Sequence, residues 1–277
     1  MEFVKAHGTG NDFVVVEDFS DHLRLTPELV RAICDRHFGV GADGLIRIAP
    51  GTHAPFFMDY RNADGSLAEM CGNGVRVVGK YLGDRGHVSS AFDLETRAGV
   101  KHLELHADNS GCIDRVTVDM GPPAVQDERT LVVDGEPVTA TVLSMGNPHA
   151  VVFVDDVDKA PVTTLGPQLE THPAFLPAKT NVEFAQVVNR ATVRQRTWER
   201  GVGETLACGT GACAVAVAAQ VRGLSDRPVV IELRGGRLEL DWTPGGTVRM
   251  TGPAREVAHG TLTEDLLASV GSPRVVG

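Results

Sequence analysis

Two stretches of similar design place the strongest constraint on how this chain folds. MCGNGVRVVGKYL begins at Met70 and TLACGTGACAVAVAA begins at Thr205, so a cysteine and two glycines twice precede a strongly apolar run. Both runs read as helices that are apolar on all sides, and such helices are normally buried because no face is left for water. The chain therefore needs a core around each helix, which predicts two similar α+β lobes.

The rest of the chain is rich in strands. A helix is predicted to begin at the Thr26-Pro27 cap and to run to about Gly39, with Cys34 in the core. Asp134-Gly135 indicates a tight hairpin. Short β-branched runs bounded by turn residues predict strands at DFVVVED, GLIRIA, PFFMDYR, CIDRVTVDM, HAVVFVDD, NVEFAQVV, ATVRQRTW, PVVIEL, RLELDW and TVRM.

The length of 277 residues suits two domains. The Pro/Gly-interrupted stretch from Met120 to Glu128 is a plausible boundary. We therefore expect an N-terminal lobe over 1–120 that carries Cys71 and a C-terminal lobe over 121–261 that carries Cys208. Each should be a curled mixed or antiparallel sheet around one central helix.

Composition excludes several classes of function. The net charge of −10 and the lack of basic segments interleaved with aromatic residues argue against nucleic-acid binding. No export signal or membrane-spanning apolar run is recognisable, so we expect a cytoplasmic protein without a membrane partner. The five cysteines are an odd number at irregular spacing, which predicts mostly reduced thiols. We expect Cys213 to pack in the core, and nothing assigns a role to Cys112.

The two Cys-Gly-x-Gly segments also have a chemical interpretation. A helix N-terminus stabilises anions, and for a cysteine the anion is the reactive thiolate. Glycines let backbone amides approach a bound carboxylate closely. Two such bases on opposite sides of one carbon could remove a proton from one face and return a proton to the other. The alternative is that both cysteines are simply small buried residues.

The sequence resembles the diaminopimelate epimerase family over nearly its whole length. This family interconverts LL- and meso-diaminopimelate, an intermediate of lysine and cell-wall biosynthesis, without pyridoxal phosphate. The matching blocks are HGTGNDF (7–13), GADG (41–44), YRNADGS (60–66), MCGNGVR (70–76), MGNPHAV (145–151), TNVEF (180–184) and WERGVGETLACGTGACA (198–214).

The resemblance implies roles for particular residues. Cys71 and Cys208 correspond to the acid/base pair, which acts from opposite faces of the substrate α-carbon. Arg200 corresponds to a carboxylate-binding arginine, and Glu199 and His149 to polar groups near the reacting centre. The matching substrate-binding positions are Asn11, Asn62, Gly72, Asn73, Asn147, Asn181, Gly209 and Thr210.

The resemblance further implies a site in the cleft between the lobes, a homodimer, and a C-terminal segment of about 262–277 that packs on the first lobe. No cofactor is expected. One departure is Gly44, where many family members carry glutamine, so one contact near the substrate is in question.

Other signals are weaker. Residues 39–44 spell G-x-G-x-x-G, but this segment follows a helix and precedes a strand, the reverse of a dinucleotide-binding unit. Cys34 and His37 have a metal-like spacing without a second pair, so no metal site is expected. Two rival functions stay open. One is a proline or hydroxyproline racemase of the same fold, and the other is an amino-acid-binding module whose two cysteines form a redox-switched disulfide.

Overall fold

The computed structural model describes residues 1–270, and the chain forms two compact units. Among the described residues, the N-terminal unit comprises Met1–Val118 and residues 253–270, and the C-terminal unit is Asp119–Gly252. The family resemblance implies a return to the first unit near residue 262. The return occurs earlier because the last strand, Arg255–Thr261, already pairs with the first. Residues 271–277 of the expected return lie outside the described residues.

The N-terminal unit is built from strands with three helices. The strands are β1 (Glu2–Gly8), β2 (Asn11–Glu17), β3 (Gly44–Pro50), β4 (Phe56–Asn62), β5 (Ala91–Thr96), β6 (Gly99–Ala107), β7 (Ile113–Asp119) and β17 (Arg255–Thr261). The helices are α1 (Pro27–Cys34), α2 (Gly72–Asp84) and α5 (Glu264–Ser269).

The C-terminal unit has two helices and two single 3₁₀ turns. Its strands are β8 (Ala124–Val133), β9 (Glu136–Ser144), β10 (Pro148–Phe153), β11 (Asn181–Asn189), β12 (Thr192–Glu199), β13 (Gly203–Thr205), β14 (Val229–Leu233), β15 (Gly236–Trp242) and β16 (Val248–Pro253). The helices are α3 (Val162–Glu170) and α4 (Gly209–Val221), and the 3₁₀ turns are Val157–Lys159 and Pro173–Phe175.

The two units repeat one topology. In the order β17-β1-β2-β3-β4-β5-β6-β7, the pairings are antiparallel except β2 with β3 and β4 with β5. In the order β8-β9-β10-β11-β12-β14-β15-β16, the pairings are antiparallel except β10 with β11 and β12 with β14. Each parallel pair needs a crossover connection, and helices α1, α2, α3 and α4 lie in these connections. The α+β architecture expected from the sequence is confirmed.

The second crossover helix of each unit is buried, as its all-round apolar sequence predicts. In α2 the residues from Gly72 to Leu82 are all buried, and α2 packs against β1, β4, β6 and β17. Helix α4 packs against β9, β10, β11, β12, β14 and β15. Cys213 on α4 and Cys34 at the end of α1 are both buried, so these two cysteines pack in the cores as expected.

Helix α1 and the hairpin between β8 and β9 are the two local features that the turn and capping residues predict. Thr26 caps α1, but the helix ends at Cys34 and not near Gly39. The Asp35 side chain accepts hydrogen bonds from the backbone N–H groups of His37 and Phe38, and this turn ends the helix. The Asp134-Gly135 hairpin is confirmed, since both residues have positive φ between β8 and β9.

The expected boundary stretch is only partly irregular, because β8 begins within it at Ala124. Within residues 1–270 the five cysteines are thiols and form no disulfide. None of the helices in the described chain combines the length and the apolar composition needed to cross a bilayer.

Candidate active site

Each unit places one cysteine at the N-terminus of its buried helix. Cys71 is the N-cap of α2, with φ −139° and ψ 114°, and Cys208 is the N-cap of α4, with φ −117° and ψ 114°. Extended backbone is the usual geometry of an N-cap, because the chain enters the helix only at the next residue. Both sulfur atoms therefore lie at the positive end of a helix dipole.

In the N-terminal unit, Cys71 lies beside two asparagine side chains. The sulfur of Cys71 donates to Oδ1 of Asn11 at 3.5 Å, and Nδ2 of Asn73 donates to the same oxygen at 3.1 Å. Gly72 lies between Cys71 and Asn73 in the first turn of α2. Four of the predicted site residues are thus assembled at one helix start.

Two charged side chains fix the orientation of these amides. Asp43 accepts from Nδ2 of Asn11 at 2.8 Å, so the Asn11 oxygen faces Cys71. Arg76, which is fully buried, donates to Oδ1 of Asn73 at 2.9 Å, so the Asn73 amide nitrogen faces Asn11. A carboxylate only accepts and a guanidinium only donates, which leaves each amide one favourable orientation. Sequence reasoning missed Asp43 and Arg76, although both lie within matching blocks.

Asn62 ends β4 opposite Gly44 on β3, and its amide nitrogen donates to the hydroxyl of Ser66 at 3.0 Å. A Cβ atom at position 44 would lie 2.5 Å from the backbone oxygen of Arg61 and 2.6 Å from the Tyr60 ring. The buried Tyr60 ring therefore occupies the space in which a longer side chain at position 44 would begin.

In the C-terminal unit, Cys208 is more deeply buried. Its sulfur lies 3.5 Å from Oγ1 of Thr210 and accepts from the backbone N–H of Gly211 at 3.4 Å. Burial raises the pKa of the Cys208 thiol well above its usual value, and the nearby Glu199 carboxylate adds to the effect. The two hydrogen bonds oppose this shift but do not cancel it. Burial therefore favours the protonated thiol of Cys208, although its place at a helix start alone favours the thiolate.

Glu199, at the end of β12, is hydrogen-bonded to Cys208 and accepts from the hydroxyl of Thr205. Burial raises the pKa of the Glu199 carboxyl above its ordinary value, and the nearby Glu183 carboxyl contributes to the same shift. A carboxyl group of this kind can exchange a proton with a neighbouring thiol closer to neutral pH than an exposed glutamate can.

His149 and Asn147 lie next to this cluster. Nε2 of His149 is 3.0 Å from Oδ1 of Asn147, and Nδ2 of Asn147 donates to Oγ1 of Thr210 at 3.3 Å. On its other side, Nδ1 of His149 is 2.8 Å from Oε1 of Glu183, and both side chains are fully buried. Glu183 was not among the predicted site residues.

Asn181 and Arg200 form a separate pair. The side-chain oxygen of Asn181 accepts from the backbone N–H of Arg200 at 2.9 Å, and its amide nitrogen donates to the backbone oxygen of Pro148 at 3.0 Å. The exposed Arg200 guanidinium donates to the backbone oxygen of Ala178 at 2.6 Å. Asn181 therefore fixes the backbone at Arg200 and leaves most of the guanidinium donors at the surface.

The structure gathers the predicted residues into a cysteine-centred cluster in each unit. The N-terminal cluster holds Asn11, Cys71, Gly72 and Asn73, with Asn62 at the end of a nearby strand. The C-terminal cluster holds Asn147, His149, Glu199, Cys208, Gly209 and Thr210, and the Asn181–Arg200 pair joins it through Pro148.

The fold is that of known amino-acid racemases and epimerases. A probable proline racemase from Agrobacterium radiobacter K84 matches with a TM-score of 0.72 at 18% identity, over 95% of this chain and 93% of its own. A hydroxyproline epimerase from Agrobacterium vitis matches with a TM-score of 0.71 at 17% identity, over 94% and 90%. At such identities the likeness defines the fold alone, so these racemases are distant structural relations of this protein.

Sequence comparison is more specific. The family model described as diaminopimelate epimerase matches residues 3–125 and 141–257. Diaminopimelate epimerase from Heliobacterium modesticaldum is 48% identical over 280 residues, which span 95% of this chain and 99% of that protein. Diaminopimelate epimerase from Leptospira biflexa is 46% identical over 275 residues, 94% and 98% of the two chains. The protein belongs to the diaminopimelate epimerase family and is an isomerase.

Proposed function

We propose that the protein epimerises LL-diaminopimelate to meso-diaminopimelate by proton transfer between cysteine sulfur and the substrate α-carbon. The observation that carries this proposal is the duplicated placement of Cys71 and Cys208. Each is the N-cap of the second crossover helix of its unit, with the same Cys-Gly-x-Gly start and nearly the same backbone conformation. Inverting a stereocentre needs one proton acceptor and one proton donor on opposite faces of the carbon.

The raised pKa of Cys208 supports a division of labour between the two thiols. In the proposed reaction Cys208 begins as the thiol and donates a proton to one face. Cys71, which donates to Asn11 in this structure, first loses that proton to solvent and then removes the substrate proton from the other face as the thiolate. One turnover exchanges the two roles. Before the next forward turnover, Cys71 releases its proton to solvent and Cys208 takes one up, and the reverse reaction begins from the exchanged state.

The remaining predicted residues would bind the substrate and stabilise the developing carbanion. In this proposal the helix-start residues Gly72, Asn73, Gly209 and Thr210 direct amide donors at the reacting α-carboxylate. Preorganised donors of this kind are commonly the largest catalytic contribution. Substrate amino and carboxylate groups would be held by Asn11, Asn62, Asn147, Asn181, Glu199 and Arg200, with His149 orienting Asn147.

Solvent-isotope exchange tests this proposal. The protein is incubated under reducing conditions with LL-diaminopimelate in D₂O, and the α-protons are followed by NMR. We expect deuterium to enter one α-position as the meso product appears. Cys71→Ala and Cys208→Ala should each lower net epimerisation by about 10²–10⁴-fold or more, because each removes one of the two proton-transferring groups.

Cys112→Ala is the matched control, because this cysteine is exposed and lies far along the chain from both helix starts. It should turn over like the natural protein. Near-normal epimerisation by either helix-start variant would remove that cysteine from the mechanism. Exchange of proline but not of diaminopimelate would instead identify a proline racemase, and binding without exchange would identify a binding module.

We further propose a homodimer in the cytoplasm. The family resemblance supports the dimer, and the need to keep two catalytic thiols reduced suits a reducing compartment. Sedimentation of the purified protein tests the first statement. Loss of activity on oxidation, with recovery after addition of a thiol reductant, tests the redox requirement.

A further inference from the structure

Glu183 is a charged side chain that the proposed reaction does not use. It lies on β11 and is fully buried, and its Oε2 atom has no hydrogen-bond partner among residues 1–270. Burying a carboxyl group with an unsatisfied oxygen costs stability, and an apolar side chain would avoid this cost. Its presence beneath a cluster of reactive groups suggests a role in the chemistry.

The position of Glu183 is tied to the first turn of α4. Its Oε1 atom lies 2.8 Å from Nδ1 of His149. The same oxygen would be only 2.7 Å from a Cβ atom at Gly211, the residue whose N–H donates to Cys208. The helix start can approach Glu183 this closely only because position 211 has no side chain.

A continuous chain of polar contacts runs from Glu183 to the Cys208 sulfur. It passes from Glu183 to His149 at 2.8 Å, to Asn147 at 3.0 Å, to Thr210 at 3.3 Å and to Cys208 at 3.5 Å. Because the Asn147 amide nitrogen donates to Thr210, the Asn147 oxygen faces Nε2 of His149, which must carry a proton to bond it.

The same contacts set the charge of the buried pair and the role of Thr210. A second proton shared between Nδ1 and Oε1 leaves the Glu183–His149 pair neutral as a whole. The Thr210 hydroxyl accepts from Asn147 and so keeps its own proton for the Cys208 sulfur. A hydroxyl proton directed at sulfur stabilises the thiolate that forms when Cys208 has given up its proton.

We propose that Glu183 is a positioning residue for Cys208, which acts by holding His149 and, through Asn147, the Thr210 hydroxyl. This inference rests on the proposed function, in which Cys208 exchanges a proton with the substrate. Glu183 itself touches neither the sulfur nor any group assigned to the substrate's carboxylates. Its effect should therefore depend on the hydroxyl at position 210.

A double-mutant cycle tests this dependence. Glu183→Leu and Thr210→Val should each lower kcat for epimerisation by about tenfold or more, the scale expected when a reacting group is misplaced. Glu183→Leu should raise KM by less than it lowers kcat. It should lower the melting temperature only modestly, because the loss of the unsatisfied Oε2 atom offsets part of the cost of leaving Nδ1 of His149 without its partner. The double variant should be no worse than the poorer single variant within about twofold. Losses that multiply, or a Glu183→Leu kcat within about threefold of the natural protein, overturn the proposal.

Two further variants keep the test interpretable. Gln195→Met alters a buried polar side chain outside the polar chain whose amide nitrogen would be 3.1 Å from a Cβ atom at Gly211, and it should retain kcat. Glu183→Gln keeps an oxygen that can face His149 and should recover most of the activity lost in Glu183→Leu. If Glu183→Leu fails to fold, Glu183→Met, which is unbranched and also lacks the carboxyl, takes its place in the cycle with the same expected outcomes. A loss of kcat in Gln195→Met equal to that in Glu183→Leu would mean that packing alone is responsible.

Alkylation by iodoacetamide gives a readout that needs no substrate. The rates at Cys208 and Cys71 are measured separately by peptide mass spectrometry near pH 8. Glu183→Leu should slow alkylation of Cys208 in the natural background, should have little further effect in Thr210→Val, and should leave Cys71 unchanged. Faster alkylation of Cys208 would show that Glu183 acts as an uncompensated charge and would overturn the proposal. Because this measurement is independent of diaminopimelate, it stands or fails separately from the proposed function.

Discussion

The two helix-start cysteines have matching backbone positions but different surroundings. Cys71 donates to the amide oxygen of Asn11, whereas Cys208 lies against a hydroxyl and the Glu199 carboxyl. Burial and the carboxylate favour the protonated form of Cys208. The same residue type in the same backbone geometry therefore has different polar neighbours in the two units, which supports the different protonation states in the proposed reaction.

Sequence reasoning identified the groups that meet at each helix start but not the charged residues behind them. Asn11, Asn73 and Cys71 could be proposed from their motifs. Arg76, which bonds Asn73, and Glu183, which bonds His149, could not be proposed in this way. A sequence does not show which charged side chains are fully buried. The available signal was their place inside the matching blocks MCGNGVR and TNVEF.

A buried hydroxyl gives a prediction at the residue scale. Thr141 on β9 is 3% exposed, and among residues 1–270 its Oγ1 atom has no hydrogen-bond partner. Thr141→Val replaces the hydroxyl with a methyl group of similar size. We expect the free energy of unfolding to rise by about 1 kcal/mol, since a buried unsatisfied polar group typically costs this much. Urea denaturation measures the change.

Thr197→Val is the matched control, because the buried Thr197 hydroxyl accepts from the Gln195 side chain at 2.7 Å. Its removal should lower the free energy of unfolding. If Thr141→Val proves less stable than the natural protein, the Thr141 hydroxyl has a stabilising role that the described contacts do not explain.

At the scale of elements, the predicted β-branched runs all became strands, since alternation and turn residues specify them well. Elements with weaker patterns were missed. Helix α3 spans only Val162–Glu170 and contains Pro167, so its sequence has little helical signal. Strand β17 has a mostly exposed or partly buried pattern, so no apolar alternation marks it. Strand β17 forms because β1 offers backbone partners, and α3 forms where it packs against β11 and β12; a local pattern reveals neither kind of contact.

The first turns of α2 and α4 give a prediction from two equivalent glycines. Gly74 and Gly211 each follow their cysteine by three residues. A Cβ at Gly74 would be 3.0 Å from Cδ1 of Ile46, a methyl group that can move, whereas one at Gly211 would be 2.7 Å from the Glu183 carboxyl. That carboxyl is held by His149, so Gly211→Ala must break the contact or displace the helix start.

We therefore expect Gly211→Ala to lower both kcat and the melting temperature more than Gly74→Ala does. Pairing Gly211→Ala with Glu183→Leu should recover melting temperature, because the clash is relieved, but should not recover kcat. Equal losses of melting temperature in the two single glycine variants would show that close approach to Glu183 is not what restricts position 211.

At the scale of the whole molecule, the two units have the same strand pairing although their sequences have little in common. Only the Cys-Gly-x-Gly helix starts make the repeat visible in the sequence. In the N-terminal unit, β17 from the far end of the chain occupies the place beside β1 that β8 holds beside β9 in the C-terminal unit. Each unit therefore needs this strand, and the first obtains it from the C-terminus. Local patterns could not predict this, because the partner of β1 lies some 250 residues away in sequence.

The pairing of β17 with β1 gives a prediction about truncation. A chain that ends at Gly252 lacks β17, so the backbone groups of β1 that pair with Arg255–Thr261 lose their partners. It also loses the ion pair between Arg85 and Glu256 at 2.7 Å and the buried Leu262. We expect rapid amide hydrogen exchange in peptides covering β1, with a lower melting temperature and aggregation at the exposed edge.

Peptides covering β11 should keep their protection, because β10 and β12 still flank that strand. A chain that ends at Val270 keeps β17 and serves as the control, and it should exchange like the full-length protein. Slow exchange in β1 after truncation at Gly252 would mean that the N-terminal sheet is stable without the strand that the C-terminus supplies.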